Sequence, residues 1–377
     1  MVKSMTTGAP FEERGGKLRG VVDLAAGRYP SFLLGGPVGD LLPVFHFHEV
    51  THSDLEAKLS FLADNGYRTV TSAEIAAYVR RETLLKGRLV GLCFDDAWAS
   101  LWTMAAPLLK QHGMTAIAYA IPARIVDAAG CRATLDDRPA VDADVPHEPE
   151  GSPFVTWPEL RRLSASGVID VQCHTDSHSM VFSSSALRDF VTPRYASTPL
   201  LNRPQLVGRP ALRFLNAGEL GAPLYPARSR MSDGRRTIVP LDVHERCVEL
   251  VRREGGAAFF SRADWRSALD RLAEAKSGAV VESEADQRRE IEEELDRGRA
   301  TLNDRLGIRS VNHVCLPWGV SGYRTAEALA RLGYRSAFAN RLRGTHAVRQ
   351  GDNPYWLKRL SNRHIFALPG RGRRLWH

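Results

Sequence analysis

Two acidic residues stand side by side where an apolar run ends. Asp95 and Asp96 directly follow the apolar residues 88–94, a run typical of a short buried strand. Active sites of α/β proteins lie at the carboxyl ends of parallel strands, where one carboxylate can bind a cation while its neighbour stays free as a base. Such a pair can also cap the helix that follows, and taken alone this is the simpler interpretation.

A histidine pair follows a second apolar run. His174 and His178 come after residues 168–173, and two imidazoles four residues apart at a strand end can turn onto one ion. With one carboxylate they supply three ligands and leave a position open for water, which is typical of a catalytic metal site. The spacing alone is a weak signal. Together with an acidic pair at the same predicted sheet edge, it predicts a metal site.

Two further histidines belong to the first apolar run. His46 and His48 are separated by one residue, so a strand would place both on one face. A histidine near the predicted metal site could act as a general acid. The alternative is a histidine packed in the core, and the pattern alone does not decide between them.

Apolar runs alternate with helix-like segments, and this alternation should position these groups. Strands are predicted over residues 42–48, 88–94, 115–123 and 168–174, and capping boxes at Ser53–Glu56, Thr71–Glu74 and Thr156–Glu159 begin the predicted helices. The alternation predicts a parallel sheet, and the length of the chain favours a closed or partly closed barrel. We predict an N-terminal cap segment (1–40), a barrel (41–179 and 286–365), an insertion or lid (180–285) and a basic tail (366–377).

Composition excludes several classes of protein. The chain has 377 residues, of which 44% are hydrophobic and 25% charged, as in ordinary globular proteins. No apolar run approaches the roughly 18 residues of a membrane span, and no signal-peptide pattern is present, so we expect a cytoplasmic protein. The five cysteines are scattered and never form a CxxC pair, which argues against a disulfide framework and a cysteine zinc site.

The positive charge is concentrated near the C-terminus. The net charge is +8, and from Arg341 onward nine basic residues stand against the single acid Asp352. Such a stretch could contact phosphate groups, for example on a nucleotide-linked or lipid-linked sugar. The alternative is a solvated tail in an arginine-rich chain. No zinc-finger, P-loop or RNA-binding signature accompanies the charge, so we expect no specific nucleic-acid partner.

Four segments resemble one family. Residues 92–121 (LCFDD…) and 155–179 (VTWPEL…HTDSHS) resemble the first two motifs of the polysaccharide deacetylases, the NodB-homology or fourth carbohydrate esterase family. Residues 315–319 (CLPWG) resemble the third motif. Residues 42–50 (LPVFHFHEV) resemble the N-terminal strand of the permuted branch, which deacetylates exported glucosamine polymers.

The resemblance implies a fold and an activity. The expected fold is α/β, a distorted (β/α)7 TIM-like barrel of parallel strands. The expected reaction removes an N-acetyl group from an amino sugar or glycan with one divalent metal ion. The ligand set suits Zn²⁺ and is compatible with Co²⁺, Ni²⁺ or Mn²⁺. By position in the motifs, Asp96, His174 and His178 would hold the metal, Asp95 would be the general base and His48 the general acid.

The same resemblance assigns the surroundings of the reacting groups. The backbone N–H of Trp318, after Pro317, would help to hold the oxyanion, and Trp98 and His46 are expected near the substrate. Three departures from the family pattern stand out: Ala97 replaces a glycine, Cys315 replaces an arginine, and the C-terminal Leu-x-His motif is missing. We expect Arg359, in the last predicted strand, to replace the missing arginine as the group that orients the base.

Two alternatives to N-deacetylation remain open at this stage. The same metal site could hydrolyse another C–N bond, such as that of a cyclic amide or formamide. A non-catalytic carbohydrate-binding member of the fold would also explain Ala97 and Cys315. For a cytoplasmic deacetylase, the sequence favours an intracellular, phosphate-containing amino-sugar precursor as the substrate.

Overall fold

The computed structural model describes residues 22, 25–27, 29–137, 152–207, 213–274, 278–339 and 346–375. These residues form two compact units. The larger holds the described residues up to Ser177, Glu292–Ser321 and those from Ala326 onward; the smaller holds His178–Ile291 and Gly322–Thr325. No helix within the described ranges is both long and apolar enough to cross a membrane.

The larger unit begins with strands and helices in alternation. Its first strands are β1 Val44–Phe47, β2 Arg68–Thr69, β3 Leu89–Asp96, β4 Ala116–Ala120 and β5 Ile169–Cys173. The helices among them are α1 His52–Asp64, α2 Ser72–Val79, α3 Ala106–Gln111 and α4 Trp157–Ala165. The predicted strands near 42, 88, 115 and 168 are therefore confirmed, each to within a few residues.

The smaller unit contains short antiparallel strand pairs and two amphipathic helices. The strands are β6 Met180–Phe182, β7 Asp189–Phe190, β8 Gln205–Leu206, β9 Arg213–Phe214, β10 Pro223–Leu224, β11 Ala227–Ser229, β12 Thr237–Ile238 and β13 Val280–Val281. The helices are α5 Leu241–Arg253 and α6 Trp265–Glu274. Their apolar faces form a core around Val243, Cys247, Val251 and Leu269.

The chain then completes the barrel. The remaining elements are α7 Glu284–Leu306, β14 His313–Cys315, α8 Tyr323–Arg331, β15 Ser336–Phe338 and β16 Leu360–Ser361. The main sheet has the order β15-β14-β5-β4-β3-β1-β16, with β2 beside β3, and every pairing is parallel. A parallel bridge between Phe338 and Leu357 joins the two ends of this order.

The barrel is distorted where β14 meets β5. These strands share one residue pair, Val314 with Cys173, whereas β4 and β5 share five pairs. On the closing side, the Leu357 N–H donates to the Ala337 carbonyl at 3.0 Å. The predicted fold class, a distorted seven-stranded barrel of parallel strands, is confirmed.

The interior of the barrel is filled by side chains. Every residue of β3 and β4 is buried, as expected for parallel strands covered on both faces. Cys93, Ile117, Tyr119, Cys315 and Phe338 belong to one buried cluster. Because the interior is closed, polar groups for chemistry can meet solvent only where strands end, and β3 ends at Asp96.

Two of the three predicted capping boxes are present at helix starts. At α2, the Thr71 N–H donates to Glu74 at 2.8 Å and the Glu74 N–H donates to the Thr71 hydroxyl at 3.2 Å. At α4, the Thr156 N–H donates to Glu159 at 2.8 Å. The prediction at Ser53 is wrong, because α1 begins at His52 after Thr51.

Glu159 also ties the loop after β4 to α4. It is fully buried, and Arg132 donates to its two oxygens from Nε at 2.8 Å and from Nη2 at 2.5 Å. The Arg132 side chain is 11% exposed. Both charges are thus largely removed from water and depend on each other, since an unpaired buried charge is costly.

We predict that Glu159→Ala lowers the free energy of unfolding by about 3 kcal/mol, because it leaves Arg132 without its partner. Urea denaturation of the purified variant measures this. Glu82→Ala is the matched control: it removes an exposed pair with Arg335 and should cost less than about 1 kcal/mol. Equal losses in the two variants would show that burial does not set the strength of this contact.

Candidate active site

Three side chains meet at the carboxyl ends of β3 and β5. Asp96, His174 and His178 each offer a ligand atom, and these atoms lie within 4.8 Å of one another. His174 Nε2 is 3.3 Å from Asp96 Oδ1, and each of the three residues is buried. His178, the first residue of the smaller unit, is described here with the turn that joins it to β5.

Neighbouring groups orient the first two of these side chains. His174 Nδ1 lies 2.6 Å from the Cys315 carbonyl oxygen. A carbonyl can only accept a hydrogen bond, so Nδ1 carries a proton, and Nε2 is the ring nitrogen directed at Asp96. Trp98 Nε1 donates to Asp96 Oδ2 at 2.9 Å. One carboxylate and two imidazoles form a donor set that fits a divalent transition metal.

The backbone is strained around these residues. Outside this site, Arg81 is the one non-glycine residue of the described ranges with positive φ; the others are Asp96 (67°), Ala97 (56°), Thr175 (62°), His178 (56°) and Trp318 (55°). The left-handed region costs roughly 1–2 kcal/mol for a residue with a Cβ. Such strain gathers at functional sites. It also explains the family glycine at position 97, because glycine adopts this conformation freely.

A second group of possible ligands shares His174. Asp95, His174 and Cys315 also lie within 4.8 Å of one another. The Arg359 guanidinium, however, donates to both Asp95 oxygens at 2.6 and 2.7 Å and lies 2.8 Å from the Cys315 sulfur. A cation in this group would be repelled by that positive charge. The group that contains Asp96 is therefore the better metal site.

Arg359 also controls the ionisation of Asp95. Burial alone would raise the pKa of this carboxyl, but the guanidinium outweighs burial and holds the pKa well below its usual range. Asp95 is therefore a carboxylate at any ordinary pH. Arg359 is in turn positioned over the Tyr119 and Phe338 rings, 5.7 and 5.3 Å from their centroids.

The two histidines of β1 have different surroundings. The His48 side chain is 53% exposed, and its Nε2 lies 3.9 Å from Asp95 Oδ2. The His46 ring stands perpendicular to it at 5.6 Å. Burial, aided by Arg359, lowers the pKa of His46 to about 4, so His46 is neutral at physiological pH. Of the two, His48 is the one open to a bound molecule.

The remaining predicted residues lie around the same sheet edge. Pro317 and Trp318 form a tight turn directly after β14, and Trp318 is partly buried. Trp98 packs on Phe154 at 4.9 Å, and its indole N–H is bonded to Asp96 rather than left open to solvent. Glu294 and Arg297 of α7, which contact the turn between His174 and His178, were not predicted from the sequence. Their place in a highly charged helix gives no signal.

Comparisons with known proteins agree with this geometry. The family model described as polysaccharide deacetylase matches residues 84–192, a segment that includes Asp95, Asp96, His174 and His178. A poly-beta-1,6-N-acetyl-D-glucosamine N-deacetylase of Escherichia coli strain K12 is 27% identical over 133 residues. The aligned part is 35% of this chain and 18% of the relative, so this chain spans less than a fifth of that relative's length.

The chain is also similar to solved structures over most of its length. IcaB from Ammonifex degensii is 19% identical with a TM-score of 0.48, covering 87% of this chain and 94% of its own. The BpsB deacetylase domain from Bordetella bronchiseptica is 17% identical with a TM-score of 0.48, covering 84% and 95%. The segment 84–192, which carries both motifs of the site, is thus the part of the chain that is similar to the polysaccharide deacetylase family.

Proposed function

We propose that this protein is a metal-dependent hydrolase that removes an N-acetyl group from an amino sugar or glycan. One observation carries the proposal: Asp96, His174 and His178 converge beside a second carboxylate, Asp95, that Arg359 keeps ionised. A ligand set of this composition next to a free base is what hydrolysis by an activated water requires. We propose Zn²⁺ as the ion, with Co²⁺, Ni²⁺ and Mn²⁺ as compatible substitutes.

Each step of the proposed reaction is assigned to a different residue of the chain. A divalent ion at this site would acidify a water molecule and polarise the amide carbonyl. Asp95 accepts the proton of the attacking water, since its carboxylate is ionised and bonded to Arg359 rather than to the metal ligands. The Trp318 N–H donates to the developing oxyanion, an interaction worth about 3 kcal/mol. His48 donates the proton that lets the amine leave.

Two expectations from the sequence concern the location of the protein and its substrate rather than the reaction. The cytoplasmic location and the phosphate-containing precursor expected from the sequence stay predictions. The phosphate-containing precursor was predicted from the basic residues near the C-terminus, and two of these residues have partners within the protein. Arg359 binds Asp95, and Arg373 donates to the carbonyls of Phe32, Gly35 and Gly36. A phosphate group would therefore depend on the other cations of this stretch.

We predict that Asp95→Asn and Asp96→Asn lose activity for different reasons. Asp95→Asn removes the base and leaves the three ligands, so it should bind one metal ion per chain with no detectable turnover. Asp96→Asn removes a ligand and should bind metal at least about tenfold more weakly. Elemental analysis after dialysis gives the metal content. Acetate release is measured with an N-acetylglucosamine oligomer and with a nucleotide-linked N-acetyl sugar.

Each outcome of this comparison is informative. Equal loss of metal in both variants would contradict the assignment of Asp95 as an uncoordinated base. Acetate release from the oligomer alone would reject a phosphate-containing precursor. Metal binding without acetate release from any N-acetyl sugar, but with hydrolysis of a cyclic amide, would replace N-deacetylation by the alternative C–N hydrolysis.

We predict that His48→Ala lowers kcat at least about 100-fold, the lower end of the range for a general acid, with unchanged metal content. His52→Ala is the matched control, because His52 lies in the first turn of α1 and has no assigned role in the reaction. Steady-state kinetics and elemental analysis give the two readouts. A wild-type rate in His48→Ala would move the acid role to His46 or His364.

We predict that Arg359→Ala shifts the acidic limb of the pH–rate profile upward. The base works only when ionised, and in the wild type the Asp95 pKa lies below ordinary pH, so its titration does not limit the rate there. Without the guanidinium, burial raises that pKa, and protonation of Asp95 then lowers the rate at a higher pH than in the wild type. Arg359→Lys should give a smaller shift, because it keeps the charge but loses the two-point contact. An unchanged limb in Arg359→Ala would contradict the proposed base.

A further inference from the structure

We propose that α7 positions the metal-binding loop, His174–His178, and that Glu294 and Arg297 are the positioning residues. The inference rests on the proposed function in taking His174 and His178 as metal ligands. It adds residues outside the segment 84–192 and outside the site motifs. The residues that hold the loop, like Asp176 and Ser177 that they bind, all lie in the larger unit.

The loop needs stabilising contacts from other parts of the protein, because its backbone is strained. Thr175 and His178 have φ of 62° and 56°. Thr175 is β-branched, and such residues rarely adopt the left-handed region. Each residue of this kind costs about 1–3 kcal/mol and persists when surrounding contacts determine it. A loop released from those contacts would relax to ordinary φ values and turn its imidazoles away from Asp96.

Glu294 binds two consecutive residues of the loop. Its carboxylate oxygen Oε1 accepts hydrogen bonds from the Ser177 N–H and the Ser177 hydroxyl, both at 2.6 Å. Its main-chain carbonyl accepts from the Asp176 N–H at 3.1 Å. Glu294 and Ser177 are both buried, and hydrogen bonds that exclude water and involve a charged partner are the strong ones.

Arg297 and Gly298 complete the contact one turn further along α7. Arg297 Nε donates to Asp176 Oδ2 at 2.7 Å. At Gly298 the helix backbone touches the loop: a Cβ there would lie 2.8 Å from the Asp176 nitrogen and 2.9 Å from the Thr175 carbonyl carbon. A side chain at 298 would therefore displace the loop. One face of α7 is thus complementary in shape to the residues between His174 and His178.

The position of these contacts determines what they do. They are made to Asp176 and Ser177, the residues between His174 and His178, and not to either imidazole. Groups that orient metal ligands from behind typically change metal affinity or activity by about 10–100-fold when removed. We call these contacts of Glu294, Arg297 and Gly298 with the loop the clamp. Its effect should therefore be measurable in metal binding itself, independently of turnover.

The test compares Glu294→Leu with Glu294→Gln. Leucine removes the acceptor, whereas the glutamine amide oxygen can still accept from Ser177. We expect Glu294→Leu to bind Zn²⁺ and Co²⁺ at least about tenfold more weakly than wild type and to alter the visible absorption spectrum of bound Co²⁺. Glu294→Gln should stay within about threefold of wild type. Glu293→Leu, the same change at an exposed neighbour on α7, should leave affinity and spectrum unchanged.

The outcomes separate this inference from the proposed function. Wild-type Co²⁺ affinity and spectrum in Glu294→Leu would overturn the clamp and leave the deacetylase proposal intact. Failure of the wild-type protein to bind either ion would overturn both. If Glu294→Leu does not fold, Gly298→Ala gives the same test, because its Cβ displaces the loop and should weaken Co²⁺ binding. Normal Co²⁺ binding by Gly298→Ala would then contradict the clamp.

Discussion

The two-point contact between Arg359 and Asp95 determines what each of the adjacent carboxylates can do. Both oxygens of Asp95 are bonded to one guanidinium, so this carboxylate is charged, fixed in orientation and withheld from a cation. Asp96, one residue later, leaves the strand with positive φ and faces His174 instead. Two chemically identical side chains thus have different surroundings, and for this reason we propose different roles for them, as pairs of carboxylates in catalytic sites often have.

Cys315 and Ala97, two of the three departures from the family pattern, are both accommodated by local geometry. At position 315 the small thiol lies against Arg359, while the carbonyl of the same residue fixes the tautomer of His174. The guanidinium that the family draws from β14 is supplied here by Arg359, immediately before β16. Ala97 accepts the left-handed conformation at a modest cost. Neither change removes a group that the proposed chemistry needs.

The sequence predicted the positions that depend on local pattern. The strand ends after residues 94 and 173 followed from apolar runs, and the helix starts at Thr71 and Thr156 followed from capping chemistry. Contacts between residues far apart in the sequence are harder to predict from a local pattern. The role of Arg359 was expected because the motif lacked an arginine, but its grip on both oxygens of a residue 264 positions away is set by barrel closure.

Other features gave no usable signal. Helix α5 was missed because polar residues separate its apolar positions in a stretch that otherwise suggested loop. Glu294 and Arg297 are two charges among many on α7, and nothing in their spacing distinguishes them from a solvated helix face. The box predicted at Ser53 fits the motif, yet the helix begins at His52, after Thr51. Such choices depend on tertiary packing, which a local pattern does not contain.

In the site that we propose, a single cation is held by Asp96, His174 and His178 while Asp95 remains uncoordinated. Anomalous diffraction at the zinc edge from crystals grown with Zn²⁺ tests it most directly. We predict one peak, bonded to Asp96, His174 Nε2 and His178, with Asp95 still bonded to Arg359. A peak bonded to Asp95 and Cys315, or no peak among these residues, would contradict it.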